Sequence, residues 1–169
     1  ILKADESRFA GLTDYLFTPH YADVGQGLQM HYVDEGGEDR SPLVMLHGEP
    51  TWSYLYRNII PPVVQAGHRA LAPDLIGFGK SDKPADADNY SHDNQLIWLE
   101  RWLDILDLKN ITLVCQNWGS LLGLRLVARQ PERFECIIVG NGMLPTGAEK
   151  LPKALGLWKA FARYSPWFP

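Results

Sequence analysis

The chain has 169 residues, which is long enough for one domain with a sizeable core. Hydrophobic residues make up 46% and charged residues 21%, the balance of an ordinary globular protein, and no apolar run approaches the roughly 20 residues of a membrane span. A formal net charge of −4 provides no basic surface for nucleic acid or for an anionic membrane.

Hydrophobic patterns predict strands and helices that alternate along the chain. Residues 1–27 show no regular pattern. Leu28–Val33 alternates as a half-buried strand does, and Leu43–Leu46 is a continuous apolar run typical of a central strand. Two further elements follow: a helix over Trp52–Ala66, which Pro61-Pro62 interrupts, and a short strand at Arg69–Ala72.

The second half of the chain continues the alternation. Ser91 is placed to cap a long helix that runs to about Leu108, with leucines at spacings of three and four on one face. The next elements are a strand over Ile111–Cys115, a helix over Leu121–Arg129 and a strand over Phe134–Val139. This alternation implies an α/β fold with a mostly parallel sheet and flanking helices.

The pattern changes from Leu144 onward. Helical, tryptophan-rich sequence over Leu151–Phe161 stands where the next strand is expected. We therefore interpret residues 1–143 as the N-terminal part of an α/β core domain, and residues 144–169 as the start of a helical cap domain.

The two cysteines, Cys115 and Cys136, both fall in predicted core strands. We expect buried free thiols rather than a disulfide or a metal-binding pair. Free thiols are typical of a reducing compartment, so a cytoplasmic location is predicted.

The segment Leu113–Gly119 is the most informative part of the chain. A predicted buried strand leads into a sharp turn between the small residues Cys115 and Gly119, and an apolar helix follows, as in a nucleophile elbow. Residue 117 is then held in a strained turn with its side chain at a helix N-terminus. Ser, Cys or Asp in that position attacks an electrophile, but the uncharged amide of Asn117 is a poor nucleophile.

The loop His47-Gly48-Glu49-Pro50 follows another predicted core strand. In α/β hydrolases this loop contributes one N–H of the oxyanion hole, here that of Glu49, and the residue after the nucleophile, Trp118, contributes the second. His47 is expected to be structural. The indole N–H of Trp118 only donates, which suits a leaving anion. Trp158, in the cap-like segment, is a second candidate donor, although simple packing explains it equally well.

None of the histidines fits a catalytic triad. In α/β hydrolases the chain order is nucleophile, acid and then histidine. The five histidines all precede the elbow: His20, His31, His47, His68 and His92.

Three segments carry a resemblance to a known family: His47–Arg57, Gly77–Pro84 and Gln116–Gly119. Together they closely resemble the haloalkane dehalogenases, in particular the subfamily with a Gln-Asp-Trp-Gly elbow. Asn141–Gly147 fits the same subfamily. The resemblance extends over the chain from about Ser7 onward and implies the α/β-hydrolase fold.

The resemblance implies a two-step mechanism. An elbow Asp displaces halide from a small halogenated alkane in an SN2 step, and a His-activated water then hydrolyses the resulting ester. The halide is held by Trp118 and by a cap tryptophan, for which Trp158 is the best match. No organic cofactor and no metal is needed.

The sequence departs from the family at Asn117, where the family has Asp, and at Ser120, where Gly is common. Asn117 has three open interpretations: an engineered knockout of the nucleophile, a natural loss of function, or an Asp misassigned as its near-isosteric amide. The chain also stops at Pro169, inside the expected cap. We expect the remaining cap, the last strands, the acid and the His to lie in a longer protein or in a second chain, and this chain alone to be inactive.

Two other functions compete with the dehalogenase. An epoxide hydrolase shares the elbow Asp and the His-Gly-x-Pro loop, but it activates its substrate with cap tyrosines, of which Tyr164 is the one candidate here. Glu49 and Gln116 favour the dehalogenase. The other alternative is a non-catalytic α/β-hydrolase relative.

Overall fold

The computed structural model describes residues 1–142 and 153–165. The strands of the described chain lie at β1 His20–Asp23, β2 Gln29–Glu35, β3 Pro42–Leu46, β4 Arg69–Pro73, β5 Ile111–Gln116 and β6 Phe134–Gly140. Its α-helices are α1 Ile60–Gln65, α2 His92–Ile105, α3 Trp118–Arg129 and α4 Lys153–Tyr164.

The six described strands form one sheet in the order β1-β2-β4-β3-β5-β6. Strands β3, β4, β5 and β6 run parallel to one another, whereas β1 and β2 pair antiparallel. The predicted mostly parallel α/β sheet is therefore confirmed. Because parallel strands end at the same edge, the loops after Leu46, Pro73 and Gln116 meet there, which is where α/β proteins place their sites.

The helices cover the two faces of the sheet and bury two clusters of apolar side chains. Successive strand residues point to opposite faces, so Leu46 joins one cluster and Met45 the other. The first cluster packs against α2 and α3, with Trp102 fully buried. The second lies under α1, with Ile60 and Tyr56 buried. The site at the sheet edge thus lies at the ends of central strands, β3 and β4, whose side chains are mostly buried on both faces.

The prediction of one helix over Trp52–Ala66 is wrong. The chain instead forms a 3₁₀ turn at Ser53–Tyr56 and then α1. Pro61 and Pro62 lie in the first turn of α1, where the missing N–H groups need no intrahelical partner. The proline pair therefore begins the second helix instead of interrupting one long helix.

The long helix after Ser91 is confirmed as α2, although it ends at Ile105 rather than near Leu108. The Ser91 hydroxyl accepts a hydrogen bond from the Asn94 N–H at 3.1 Å, which is the predicted cap. Leu96, Leu99 and Leu103 are buried on one face of the helix. This face fixes α2 against the sheet.

Two features of the sheet differ from the sequence predictions. Strand β1 lies within the first 27 residues, where no element was expected, and pairs with β2. Cys136 is exposed, not buried, because it lies on β6 at the edge of the described sheet, where side chains from Glu135 onward are exposed. Both cysteines are free, as expected, and Cys115 is buried, which raises the pKa of its thiol to about 11.

Helix α4 overlaps the helix predicted at Leu151–Phe161, of which residues 151–152 lie outside the described residues. Met143–Gly147, the later part of the segment Asn141–Gly147 that fits the dehalogenase subfamily, also lies outside them. The division into a core and a cap at residue 143 stays a prediction. No described helix is long and apolar enough to cross a membrane.

Candidate active site

Asn117 forms the turn between β5 and α3 with an unusual backbone conformation. Its φ of 50° and ψ of −125° lie where residues other than glycine are rare. Such a conformation costs about 1–3 kcal/mol and persists only where the surroundings enforce it. The side chain compensates in part by capping α3: its Oδ1 accepts the Trp118 N–H at 2.7 Å.

The turn packs so tightly that two glycines are required beside it. A Cβ atom on Gly48 would lie 2.5 Å from the Cβ of Asn117. A Cβ on Gly119 would lie 2.3 Å from the Leu46 carbonyl oxygen. A side chain at either position would therefore push the 47–50 loop and the start of α3 apart.

Two backbone N–H groups converge on one side-chain oxygen of residue 117. The Trp118 N–H lies 2.7 Å from Asn117 Oδ1, and the Glu49 N–H lies 3.3 Å from the same atom, both measured from the nitrogen. The structure thus brings together three of the residues singled out in the sequence. The arrangement has the form of an oxyanion hole, because two donors face the position where negative charge on an acyl oxygen would develop.

His47 anchors the loop that carries Glu49. Its Nδ1 lies 3.0 Å from the Gly48 carbonyl oxygen, and its Nε2 lies 2.9 Å from the Leu75 nitrogen. A neutral ring with its proton on Nδ1 satisfies both contacts, donating to the first and accepting from the second. Burial lowers the pKa of His47, which favours this neutral form. The expected structural role fits these contacts.

Trp118 presents its ring beside the elbow. The residue is 42% exposed, and its ring stacks on the His92 ring, with centroids 4.8 Å apart. Sequence reasoning missed this contact, because nothing in the local pattern around His92 at the start of α2 indicates a partner on α3. Both residues line a cavity of about 270 Å³, whose walls include Leu75 and Leu122.

Trp158, the second proposed halide ligand, lies on α4 with 54% of its surface exposed. The chain between the elbow and Trp158 includes residues 143–152, which lie outside the described residues. Its role therefore stays a prediction. Within the part of the chain that the structure describes, no group of three or more His, Cys, Asp or Glu residues is placed to hold a metal ion.

Comparisons with known proteins agree with this architecture. The sequence model of the alpha/beta hydrolase fold family matches residues 41–164. A curated haloalkane dehalogenase of Mycolicibacterium paratuberculosis is 51% identical over the whole of this chain, and the chain spans 58% of that relative's length.

Solved structures give the same picture. Haloalkane dehalogenase DpaA from Paraglaciecola agarilytica matches 96% of this chain and 55% of its own at 42% identity, with a TM-score of 0.86. An epoxide hydrolase from Vigna radiata matches 90% of this chain and 49% of its own at 24% identity, with a TM-score of 0.76, and supports the fold alone. The resemblance inferred from the sequence motifs is thereby confirmed, and the chain belongs to the α/β-hydrolase fold family.

Proposed function

We propose that the full-length protein has the active site of a haloalkane dehalogenase, with residue 117 in the position of the nucleophile. The observation that carries this proposal is the convergence of the Glu49 and Trp118 N–H groups on one oxygen of residue 117. The 51% identical relative, named a haloalkane dehalogenase, supports the same activity. Small halogenated alkanes are the proposed substrates, and halide is one product.

The geometry suggests a role for each terminal atom of residue 117. With Asp in this position, one carboxylate oxygen accepts the two N–H groups, and the other attacks the carbon that bears the halogen. The new C–O bond forms as the C–X bond breaks, and the electron pair of that bond leaves with the halide. In Asn117 the second atom is an amide nitrogen, whose lone pair is delocalised, so the attack is suppressed.

The same two donors serve the second step. Water loses a proton to a base as it adds to the ester carbonyl carbon, and the negative charge that develops on the carbonyl oxygen lies against the Glu49 and Trp118 N–H groups. As the carbonyl forms again, the bond from its carbon to the alkyl oxygen breaks, the alcohol leaves with the proton, and the carboxylate at position 117 is regenerated. Removing one such donor typically costs about 10²–10³-fold in rate. The water needs a base, which family order places after the elbow, whereas all five histidines of this sequence precede it.

Halide binding is proposed for the two tryptophans. Trp118 lines the cavity beside the elbow, and its indole N–H is a donor without acceptor capacity, which suits an anion. Trp158 is proposed as the second donor from α4. A cytoplasmic location is proposed as well, on the support of the free Cys115 and Cys136.

The decisive experiment compares three forms of the full-length protein: the parent, Asn117→Asp and Asn117→Ala. We expect measurable bromide release from 1-bromobutane with the Asp form alone, since only a carboxylate both fits the donors and attacks carbon. The Ala form controls for nonspecific hydrolysis. Quenching of tryptophan fluorescence by bromide, reduced in Trp118→Phe, tests the halide site without turnover.

The alternatives give different outcomes. Diol formation from an epoxide by the Asp form, without halide release, would support an epoxide hydrolase. Tight binding of bromobutane without either product would support a non-catalytic relative. In both cases the proposed function would be wrong.

A further inference from the structure

The loop that carries the Glu49 N–H is fastened at both ends to one dipeptide, Asp74-Leu75, which follows β4. On one side of Glu49, His47 Nε2 accepts the Leu75 N–H at 2.9 Å. On the other side, the Ser53 N–H donates to Asp74 Oδ1 at 2.7 Å. A shift of this dipeptide would therefore move the Glu49 N–H relative to residue 117.

The Asp74 carboxylate is itself held by several hydrogen bonds. Its Oδ2 accepts the Lys80 N–H at 2.9 Å and lies 2.8 Å from His31 Nδ1, which donates because an ionised carboxylate only accepts. Both Asp74 and His31 are buried. Burial alone would raise the pKa of Asp74, but the hydrogen bond and charge of His31 and the hydrogen bond from the Ser53 N–H outweigh it and hold the pKa low. Asp74 is thus a buried, fully hydrogen-bonded carboxylate.

Of the two donors, the Glu49 N–H is the one whose position depends on the hydrogen bonds between the loop and Asp74-Leu75. Its nitrogen lies 3.3 Å from Asn117 Oδ1, near the limit of a useful hydrogen bond, whereas the Trp118 nitrogen lies at 2.7 Å. The Trp118 nitrogen belongs to the peptide bond with residue 117, so its N–H stays close to that residue. Glu49 reaches the site through the loop alone, so a small outward shift would remove its contribution.

We propose that Asp74, supported by His31, is a positioning residue that holds the Glu49 N–H against the side chain of residue 117. Among the hydrogen bonds of the described residues, those of Asp74 go to His31, Ser53, Lys80 and Ser81 and none goes to residue 117, so Asp74 acts through Ser53 and the loop. The catalytic part of this inference rests on the proposed function. The positioning itself does not, because it concerns the environment of residue 117 whether or not the protein turns over a haloalkane.

The test uses carbon NMR to measure the pKa of the carboxyl group at position 117 in the full-length Asn117→Asp protein, with and without Asp74→Asn. Two effects of the second substitution have opposite signs. Removing the negative charge of Asp74 favours the ionised form of the carboxyl group at 117 and lowers its pKa, whereas loss of the Glu49 donor disfavours that form and raises it. We expect a rise of about one unit, since hydrogen bonds to a carboxylate lower its pKa. A fall or no change would overturn the proposal.

Asp82→Asn is the matched control. Asp82 is also buried, and its Oδ2 accepts the Gln29 N–H at 2.9 Å, but it makes no hydrogen bond to the loop 47–53 among those of the described residues. It should destabilise the protein without raising the pKa of the carboxyl group at 117. An equal rise in both variants would show a general loosening and would also overturn the proposal.

If Asp74→Asn does not fold, His31→Gln gives the second test. This substitution leaves the Asp74 carboxylate in place and weakens its hydrogen bond to residue 31. We therefore expect a smaller rise in the pKa of the carboxyl group at 117. No rise would overturn the positioning role. Where Asn117→Asp releases halide, Asp74→Asn should lower kcat about tenfold with little change in KM. Absence of halide release from Asn117→Asp itself would refute the proposed function and leave the pKa test intact.

Discussion

The surroundings of residue 117 favour a negative charge. Two backbone N–H groups face its side-chain oxygen, and α3 begins at the next residue with the positive end of its dipole. A carboxylate has nearly the same shape as the amide and would make the same contacts without rearrangement. The stabilisation available to a carboxylate is therefore present in the fold, and Asn117 leaves most of it unused.

Asp74 makes the stability of the protein depend on pH. Its pKa is held below the ordinary value of about 3.9, so the carboxylate stabilises the fold fully above that pH and loses its contribution as the pH falls through the lower, folded-state pKa. We expect Asp74→Asn to lower the free energy of unfolding by about 2 kcal/mol at neutral pH. Urea unfolding should show the difference from the parent protein shrinking below about pH 4.

The exposed Asp39 provides the control for this prediction. Asp39→Asn should change the free energy of unfolding by less than about 0.5 kcal/mol at either pH. A difference between parent and Asp74→Asn that stays constant, or grows on acidification, would contradict the ionised state assigned to Asp74.

The start of helix α3 packs closely against the end of β3 at Gly119. In an ordinary helix, Gly→Ala stabilises by about 1 kcal/mol. At Gly119 the new Cβ would lie 2.3 Å from the Leu46 carbonyl oxygen and 2.5 Å from that of His47, and neither backbone atom can yield independently. We expect Gly119→Ala to destabilise the protein by about 2–3 kcal/mol, measured by urea unfolding.

Two other helical glycines calibrate this effect. A Cβ on Gly156, in α4, would meet no atom within 4 Å, so Gly156→Ala should be neutral or stabilising. A Cβ on Gly123 would lie 3.0 Å from a side-chain carbon of Leu113, which has more freedom to move, so the effect of Gly123→Ala should be intermediate. Equal effects at Gly119 and Gly156 would show that α3 shifts freely against β3.

Local sequence patterns predicted the elements whose causes are local. The cap at Ser91 and the leucine face of α2 were identified because both depend on residues close in sequence. Strand β1 was missed, since four residues form a strand only through pairing with β2. The exposure of Cys136 was also missed, because burial depends on what covers β6 and not on the apolar sequence of the strand.

The candidate active site shows the same limit: features that depend on residues distant in sequence were not predicted. The motifs around Glu49 and Asn117 predicted the two converging donors, because a nucleophile elbow has a recognisable spacing. The anchoring of the loop by Asp74 and His31 was not predicted, since these residues come from different parts of the sheet and meet only in the folded protein. Contacts across the sheet edge have no signature in a single sequence.

Different interactions lie at the two ends of β4. Asp74 follows the last residue of β4, whereas Arg69, the first, forms a two-pronged ion pair with Asp34 on β2, with nitrogen–oxygen distances of 2.8 and 2.5 Å. Five residues of strand place this pair about 16 Å from Asp74. Effects at such a distance are usually independent. This distance allows the stability of the whole protein and the geometry of the site to be tested separately.

Arg69→Met should therefore destabilise the protein without disturbing the site. It leaves the carboxylate of Asp34 largely buried and unpaired, which we expect to lower the free energy of unfolding by about 2 kcal/mol or more. The double variant Arg69→Met/Asp34→Leu removes both charges and should recover part of that loss. In the Asn117→Asp background, the pKa of the carboxyl group at 117 should be unchanged by either. A shift in that pKa would mean that strain passes along β4 to the Asp74-Leu75 anchor, and that the position of the Glu49 N–H is set by the whole sheet.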